Sequence, residues 1–297
     1  MSIYFLTSSK TCFRVNIVSL TFFLFVNNIV VSQNDNQFDC LTKGELFTEF
    51  SKNGFVFLEV SAYKKSFKGN GMLSILKLNP KHFDFRLICK SQTNVLKNAT
   101  QWIDSLNGNI IFNAGMYNLQ DEISHQFFMK NFEHINNPIL SSNVNGIIAF
   151  NPSKDSIPKL QLFDLTIDNW YDIKKSYQSL VQAYRMIDYN GEPVFWNNHV
   201  QFCSMLVLAQ DKENNIYIIF SRSPFTQNQM IENLLNLPFK LLNAIYLEGG
   251  SRANFILSSE QYDIRKVGSY VSNYNPNDNN QTYYPFPNFI VLTKIKF

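Results

Sequence analysis

The chain has 297 residues, with 26 basic side chains against 23 acidic ones and a formal charge of +3. That balance, spread without a basic tract, argues against a nucleic-acid partner. With 45% apolar and 15% aromatic residues, the chain can bury one large core.

The first 32 residues read as an export signal. Lys10 and Arg14 form a positive n-region, and residues 15–31 are apolar apart from Asn27 and Asn28. Val30-Val31-Ser32 offers a cleavage point. The interrupted run is marginal for a spanning helix, which needs about 20 apolar residues. No integral membrane span is expected after processing, and the predicted location is periplasm, cell envelope or medium. Loss of Lys10 and Arg14 leaves 33–297 with 24 basic and 23 acidic residues, a net +1. Cys12 leaves with the signal. Cys40, Cys89 and Cys203 remain, an odd number with no C-x-x-C. A Cys40–Cys89 bridge and buried free thiols are both open at this point.

Residues 55–63 alternate as a strand, and 73–78 and 83–89 follow as strands around the turn Asn79-Pro80-Lys81-His82. Residues 100–106 form a short helix with Trp102, Ile103 and Leu106 on one face. Residues 110–112 are an apolar strand. The polar, Asn-rich stretch 118–145 reads as a long surface excursion. Residues 147–150 and 160–165 resume the sheet, and 173–180 reads as a helix. Residues 181–187, 205–209 and 216–220 read as strands, the last two paired across 211–215. Thr226-Gln227-Asn228-Gln229 is a capping box opening a helix to Leu237, stopped by Pro238. A strand at 244–247 and a loop at 268–288 follow, and 289–295 closes the sheet as an edge strand. With no repeat and no linker, 33–297 is expected to be one α+β domain, a mixed or antiparallel sheet with a few packed helices.

Two runs share one design. Asn109-Ile110-Ile111-Phe112-Asn113-Ala114-Gly115-Met116-Tyr117 and Asn243-Ala244-Ile245-Tyr246-Leu247-Glu248-Gly249-Gly250 each end an apolar strand in a polar side chain plus glycine. Glycine there lets the backbone turn sharply and a ligand come close. The shared design predicts one site at one sheet edge, with Asn113 near Glu248.

Asn113-Ala114-Gly115-Met116-Tyr117 and Leu247-Glu248-Gly249-Gly250 resemble the signature motifs of the phosphodiester glycosidase family, the N-acetylglucosamine-1-phosphodiester alpha-N-acetylglucosaminidase-like domains. In matching order, Gln182-Ala183-Tyr184-Arg185 resembles the family's Gln-x-x-Arg segment. Ser221-Arg222-Ser223-Pro224-Phe225-Thr226 resembles a Ser-Arg-Ser-Pro-Tyr turn of its bacterial exported branch, as do Lys130-Asn131 and residues 134–138. The resemblance spans roughly residues 55–260. It implies an exported hydrolase that releases free sugar from a sugar-1-phosphodiester, with water as second substrate and no cofactor.

Glu248 is the candidate catalytic carboxylate, because an oxocarbenium-like transition state needs one nearby; the plain alternative is a surface turn acid. Arg185 and Arg222 are candidate phosphate ligands, since a guanidinium matches two phosphate oxygens; the alternative is an ion pair for each. Asn113 and Gln182 are candidates for orienting the substrate, against local capping. Gly115, Gly249 and Gly250 are candidates for close substrate approach. Tyr117 and Trp196 can stack on a sugar, although core packing suits them better. The chain departs from the family at Met205, where an Arg is common, at Phe127, where Gly is common, and at Ser251-Arg252, where the branch has Pro-Glu. These departures bear on substrate choice.

Two rival readings stand beside this one. One is a non-catalytic binder of envelope or capsular polysaccharide on the same fold. The other is an ordinary glycosidase, which needs a second carboxylate about 5–10 Å from Glu248; Asp211 and Asp121 are the candidates. His82, His125, His134 and His199 fall in no zinc spacing, so no metal site is expected.

Overall fold

The computed structural model describes residues 54–197, 200–272 and 274–295 in full, with the backbone of four short strands before them. Of the expected export signal, residues 1, 7–11 and 17–27 lie outside the described residues, as do 33–37 beyond its cleavage point and His199. β1 (Ser2–Leu6) pairs with β2 (Cys12–Asn16), and β3 (Asn28–Ser32) with β4 (Phe38–Thr42). Then come β5 (Phe55–Ser61), β6 (Met72–Leu78), β7 (Phe83–Cys89), α1 (Lys90–Thr93), α2 (Ala99–Leu106) and β8 (Ile110–Asn113). The middle of the chain supplies β9 (Met129–Asn131), β10 (His134–Asn137), β11 (Gly146–Pro152), β12 (Leu160–Asp164), α3 (Trp170–Ser176), β13 (Tyr177–Ala183) and β14 (Arg185–Ile187). The last third holds β15 (Cys203–Gln210), β16 (Ile216–Phe225), α4 (Gln227–Leu235), β17 (Asn243–Gly249), β18 (Asn254–Ser258), β19 (Asp263–Val267) and β20 (Asn288–Lys294).

Apart from the two-stranded pairs β1-β2 and β3-β4, the strands from β5 onward form three antiparallel sheets rather than the one expected. Sheet I has the order β10-β9-β13-β11-β12, sheet II β14-β17-β15-β16-β6-β5, and sheet III β19-β18-β8-β20-β7. One core joins them. Phe150 and Val181 from sheet I, Leu206, Ile218 and Leu247 from sheet II, and Phe112, Phe255 and Ile290 from sheet III belong to it. Every residue of β15 is buried, so sheet II is covered on both faces. That is why its strands read as continuous apolar runs and not as alternating ones.

Sheets I and III alternate instead. In β8, Ile110 and Phe112 face the shared core, while Ile111 packs with Trp102 and Ile103 of α2. In sheet I, Ile147, Ala149 and Leu180 pack with Ile173 of α3. The result is a single α+β domain whose outer faces carry short helices.

The capping boxes explain where two helices begin. Asn98 opens α2 with Gln101, and Thr226 opens α4 with Gln229, the pair read from the sequence. Four other expectations need correction. The helix placed at 173–180 is α3, started earlier by the Asn169 side chain on the Tyr171 N–H and ended at Ser176. Residues 177–183 instead become β13, because β11 and β9 flank them and satisfy their backbone. The stretch 118–145 is not simply a surface excursion, since His125, Phe127, Phe128 and Met129 are buried. The final strand, β20, lies between β8 and β7 and is not an edge. The Ser221–Phe225 segment is no turn but the end of β16. Cys89 and Cys203 are buried free thiols, so no Cys40–Cys89 bridge forms.

Candidate functional site

β17 carries an apolar run outward to Glu248. Its pairing with β15 passes from Val207 opposite Tyr246 to Leu206 opposite Glu248, which leaves Leu247 as an extra residue. Such a bulge re-aims the side chains around it. After Gly249 the chain leaves sheet II through a tight turn over Gly250–Arg252 and enters sheet III at β18. Gly250 has φ +67°, and a Cβ there would lie 1.9 Å from Val271 Cγ2. Gly249 is extended, but a Cβ would meet the Tyr246 hydroxyl at 2.3 Å and Cys203 Sγ at 3.0 Å. Both glycines are therefore required by the packing of this turn.

Glu248 is 9% exposed. Its Oε1 accepts from the Gly249 N–H at 3.0 Å, while Oε2 is buried with no hydrogen-bond partner among the described residues. Burial pushes the carboxyl up from 4.5 to about 8, opposed by the Gly249 N–H and by the charge of Arg252. Burial thus favours the neutral carboxyl, and one of its oxygens is left without a partner among the described residues. Beneath it, burial raises the Cys203 thiol to about 12, which makes it unreactive as a nucleophile.

The first motif reaches the same turn from sheet III. Asn113 is fully buried; its amide nitrogen donates to the Arg252 carbonyl at 3.2 Å and its oxygen accepts from the Asn254 N–H at 2.8 Å. Gly115 has φ +130°, and a Cβ would sit 2.5 Å from His125 Nε2. Two residues on, the Tyr117 ring lies 5.5 Å from the Arg252 guanidinium. Burial raises the Tyr117 phenol, with Arg252 opposing and Glu248 adding to the shift. Asn113, Gly115, Glu248, Gly249 and Gly250 are thus drawn to one place. The expected single sheet edge is in fact a junction between two sheets.

Three predicted residues serve their own chain instead. Gln182 is buried in β13; its Nε2 donates to the carbonyls of Ser141 (2.8 Å) and Val144 (2.5 Å), and its Oε1 accepts from the Ser141 N–H at 2.9 Å. Arg185 sits opposite Ile245 in β17, yet its guanidinium pairs with buried Asp164. Arg222 donates to the Asp278 carboxylate at 2.8 Å and to the carbonyls of Val267, Asp278 and Asn280. It thereby holds the 267–280 loop.

Neither candidate second carboxylate is shown to join Glu248. Leu206 lies opposite Glu248, and Asp211 is five residues further along, about 16 Å at the strand rise. Asp211 accepts from the Asn215 N–H, the Asn215 amide and the Tyr217 hydroxyl at 2.8–2.9 Å. Asp121 closes its own turn on the N–H groups of Ile123 and Ser124.

The residue that sequence reasoning passed over is Arg252. Its guanidinium lies over the rings of Tyr117 and Tyr284, at 5.5 and 5.6 Å from their centroids. The signal was present: Arg252 follows Glu248 by four residues across a double glycine.

No protein-family model matches the sequence, and no curated protein matches it. The fold is shared with solved structures, among them these two. The zebrafish N-acetylglucosamine-1-phosphodiester alpha-N-acetylglucosaminidase catalytic domain, auto-inhibited by its pro-peptide, aligns with TM-score 0.60 and 11% identity over 90% of this chain and 88% of that one. A hypothetical protein from Synechocystis aligns with TM-score 0.51 and 9% identity over 80% and 62% of the two chains. At these identities the likeness is one of fold. No helix among the described residues is long and apolar enough to cross a membrane.

Proposed function

We propose that this chain is an exported hydrolase that cleaves the bond between a sugar's anomeric carbon and a phosphodiester oxygen. The observation that carries the reading is Glu248: a buried carboxyl whose neutral form burial favours, with Oε2 lacking a partner among the described residues, at the end of β17. The likeness of fold to a phosphodiester glycosidase catalytic domain supports the same reaction class.

In this reading Glu248 Oε2 gives its proton to the departing phosphate oxygen as the C1–O bond breaks. Water adds to C1, and its proton returns to the Glu248 carboxylate. The products are free sugar and a phosphomonoester. A phosphate is a better leaving group than an alcohol, so one acid suffices and no second carboxylate is needed. Asn113 holds the turn that presents Glu248. Gln182, Arg185 and Arg222 act through the backbone they fasten.

The test is release of free sugar from sugar-1-phosphodiesters by wild-type protein and Glu248→Gln. General acid catalysis contributes about 10²–10⁴-fold, and the variant should lose that in kcat and in kcat/KM together. Wild-type protein that binds such diesters yet frees no sugar from any aglycone is a polysaccharide binder, and the hydrolase reading falls. Export rests on residues 1–32. Mass spectrometry of protein from the cell envelope should show a start near Gln33, and an intact Met1 would remove that element.

A further inference from the structure

We infer that Arg252 is the residue that recognises the anionic group of the substrate, and that its anion site is a phosphodiester site framed by Tyr117 and Tyr284. The inference rests on the hydrolase reading for the identity of the substrate, and on the geometry below for the site itself.

Three arginines come into question near the two motifs, and their donors are spent very differently. Arg222 has all three of its guanidinium nitrogens engaged by Val267, Asp278 and Asn280. Arg185 is neutralised by Asp164, which is buried. Arg252 makes one side-chain hydrogen bond among the described residues, from Nη1 to the Pro285 carbonyl at 3.2 Å. It meets no carboxylate within ion-pair distance among those residues. Its Nε and Nη2 remain open to a ligand.

The guanidinium is nevertheless held in place. Tyr117 and Tyr284 lie against it, and Tyr117 is itself fixed edge-on to Phe286 at 5.1 Å. Attraction to two ring faces restricts where the guanidinium can sit. The backbone is fixed as well, because the Arg252 carbonyl accepts from both Asn113 (3.2 Å) and Asn254 (2.8 Å). A rigid N–H fork matches two oxygens of one phosphate with little ordering cost.

A second observation points to a ligand at this place. The buried Oε2 of Glu248 lacks a partner among the described residues, and Arg252 is the cation whose charge Glu248 feels. A phosphodiester seated on Arg252 would bring its ester oxygen toward that carboxyl. Arg252 would then fix the substrate's charge, and Glu248 would act on the adjoining bond. The position read from sequence as a departure from the family thus becomes a determinant of this chain's own specificity.

The experiment is titration calorimetry with three probes: a non-hydrolysable phosphonate analogue of a sugar-1-phosphodiester, inorganic phosphate, and the neutral free sugar. Wild-type protein, Arg252→Ala and Arg252→Lys are compared, each checked for native circular dichroism and melting temperature. Arg252→Ala should weaken the phosphonate by about 10- to 100-fold, the range of a lost charge-assisted pair. It should leave the neutral sugar unchanged. Arg252→Lys should recover only part of the loss, since an ammonium is a point charge without a fork. A folded Arg252→Ala protein that binds the phosphonate as wild type does overturns the inference. The two claims fail separately. Arg252-dependent binding without sugar release sinks the hydrolase reading and keeps the anion site. Sugar release unaffected by Arg252→Ala, in kcat and KM alike, sinks the anion site and keeps the hydrolase.

Discussion

The side chain of Asn113 is bonded to the backbone of Arg252, with its amide nitrogen 3.2 Å from the Arg252 carbonyl oxygen. Asn113 ends β8 in sheet III, and Arg252 closes the turn by which the chain leaves Glu248 and sheet II. One buried amide therefore sets the distance between the two motifs. It does so without being open to a ligand, since its oxygen is taken by the Asn254 N–H.

That arrangement gives Asn113→Ala a definite signature. The substitution strands the buried Asn254 N–H, and an unmet buried donor costs about 1–3 kcal/mol. Denaturant melts should show that loss. Turnover should fall because the Glu248 turn loosens, while affinity for neutral sugar holds. Unchanged stability together with a selective loss of sugar binding would mean that the amide touches substrate.

Arg185 and Arg222 should show themselves as structural residues. Arg185→Ala leaves the Asp164 carboxylate buried and short of its partner, which typically costs about 3–5 kcal/mol. Arg222→Ala releases the 267–280 loop and should cost about 2–3 kcal/mol. Melting temperatures should drop in both, while phosphonate affinity, measured well below the melt, stays within about threefold of wild type. A stable variant with lost affinity would return either arginine to the binding site.

Much of this was legible in the chain. The run ending in Glu248-Gly249-Gly250 announces a strand that stops at a sharp turn, because an apolar run and a double glycine are both local signals. The Thr226 capping box was equally plain. Sheet membership was not. Nothing local to Asn113 or Glu248 says that their strands lie in different sheets, because pairing partners such as Phe255 and Leu206 are remote in sequence. β13 was misread for the same reason: Ser179-Leu180-Val181 suits helix or strand, and only its flanking strands decide. Arginine roles were also hidden, since a sequence shows a cation but not the Asp164 or Asp278 that occupies it.

Gly115 and His125 form a tight pair that substitution should expose. A Cβ at Gly115 would press on His125 Nε2 at 2.5 Å, from a backbone with φ +130° that side-chain-bearing residues seldom adopt. Strain and overpacking together predict a loss of about 2–5 kcal/mol for Gly115→Ala. Part of the loss comes from the ring, so Gly115→Ala with His125→Ala should be less destabilised than the sum of the two single changes. Strict additivity in a double-mutant cycle would show that backbone strain alone is at work. The ring brings its own pH effect. Burial holds His125 down from 6.5 to about 4, so the unfolded chain takes up a proton first as pH falls. Stability from this group is full above pH 6.5 and is lost toward pH 4, by about 3 kcal/mol.

Glu248 acts on stability in the opposite direction. Its carboxyl titrates near 8 in the folded protein against 4.5 as the unperturbed value. Between those values the folded state keeps a proton that the unfolded state has lost. Stability from this group is therefore full below pH 4.5 and declines as pH rises through 8, by a few kcal/mol. Gln at position 248 cannot ionise and carries no such slope. Glu248→Gln should match wild type in melting temperature near pH 5 and exceed it by several degrees near pH 9, since about 1 kcal/mol corresponds to roughly 2–4 °C in a domain of this size. The same substitution should lower turnover by about 10²–10⁴-fold near pH 5 and by less near pH 9, where wild type has itself lost most of the acid proton, a gain of stability at the cost of activity. Scanning calorimetry at the two pH values decides the matter. A gap between variant and wild type that is equal at pH 5 and pH 9 would mean that Glu248 is ionised throughout, and the acid role assigned to it would fall with that result.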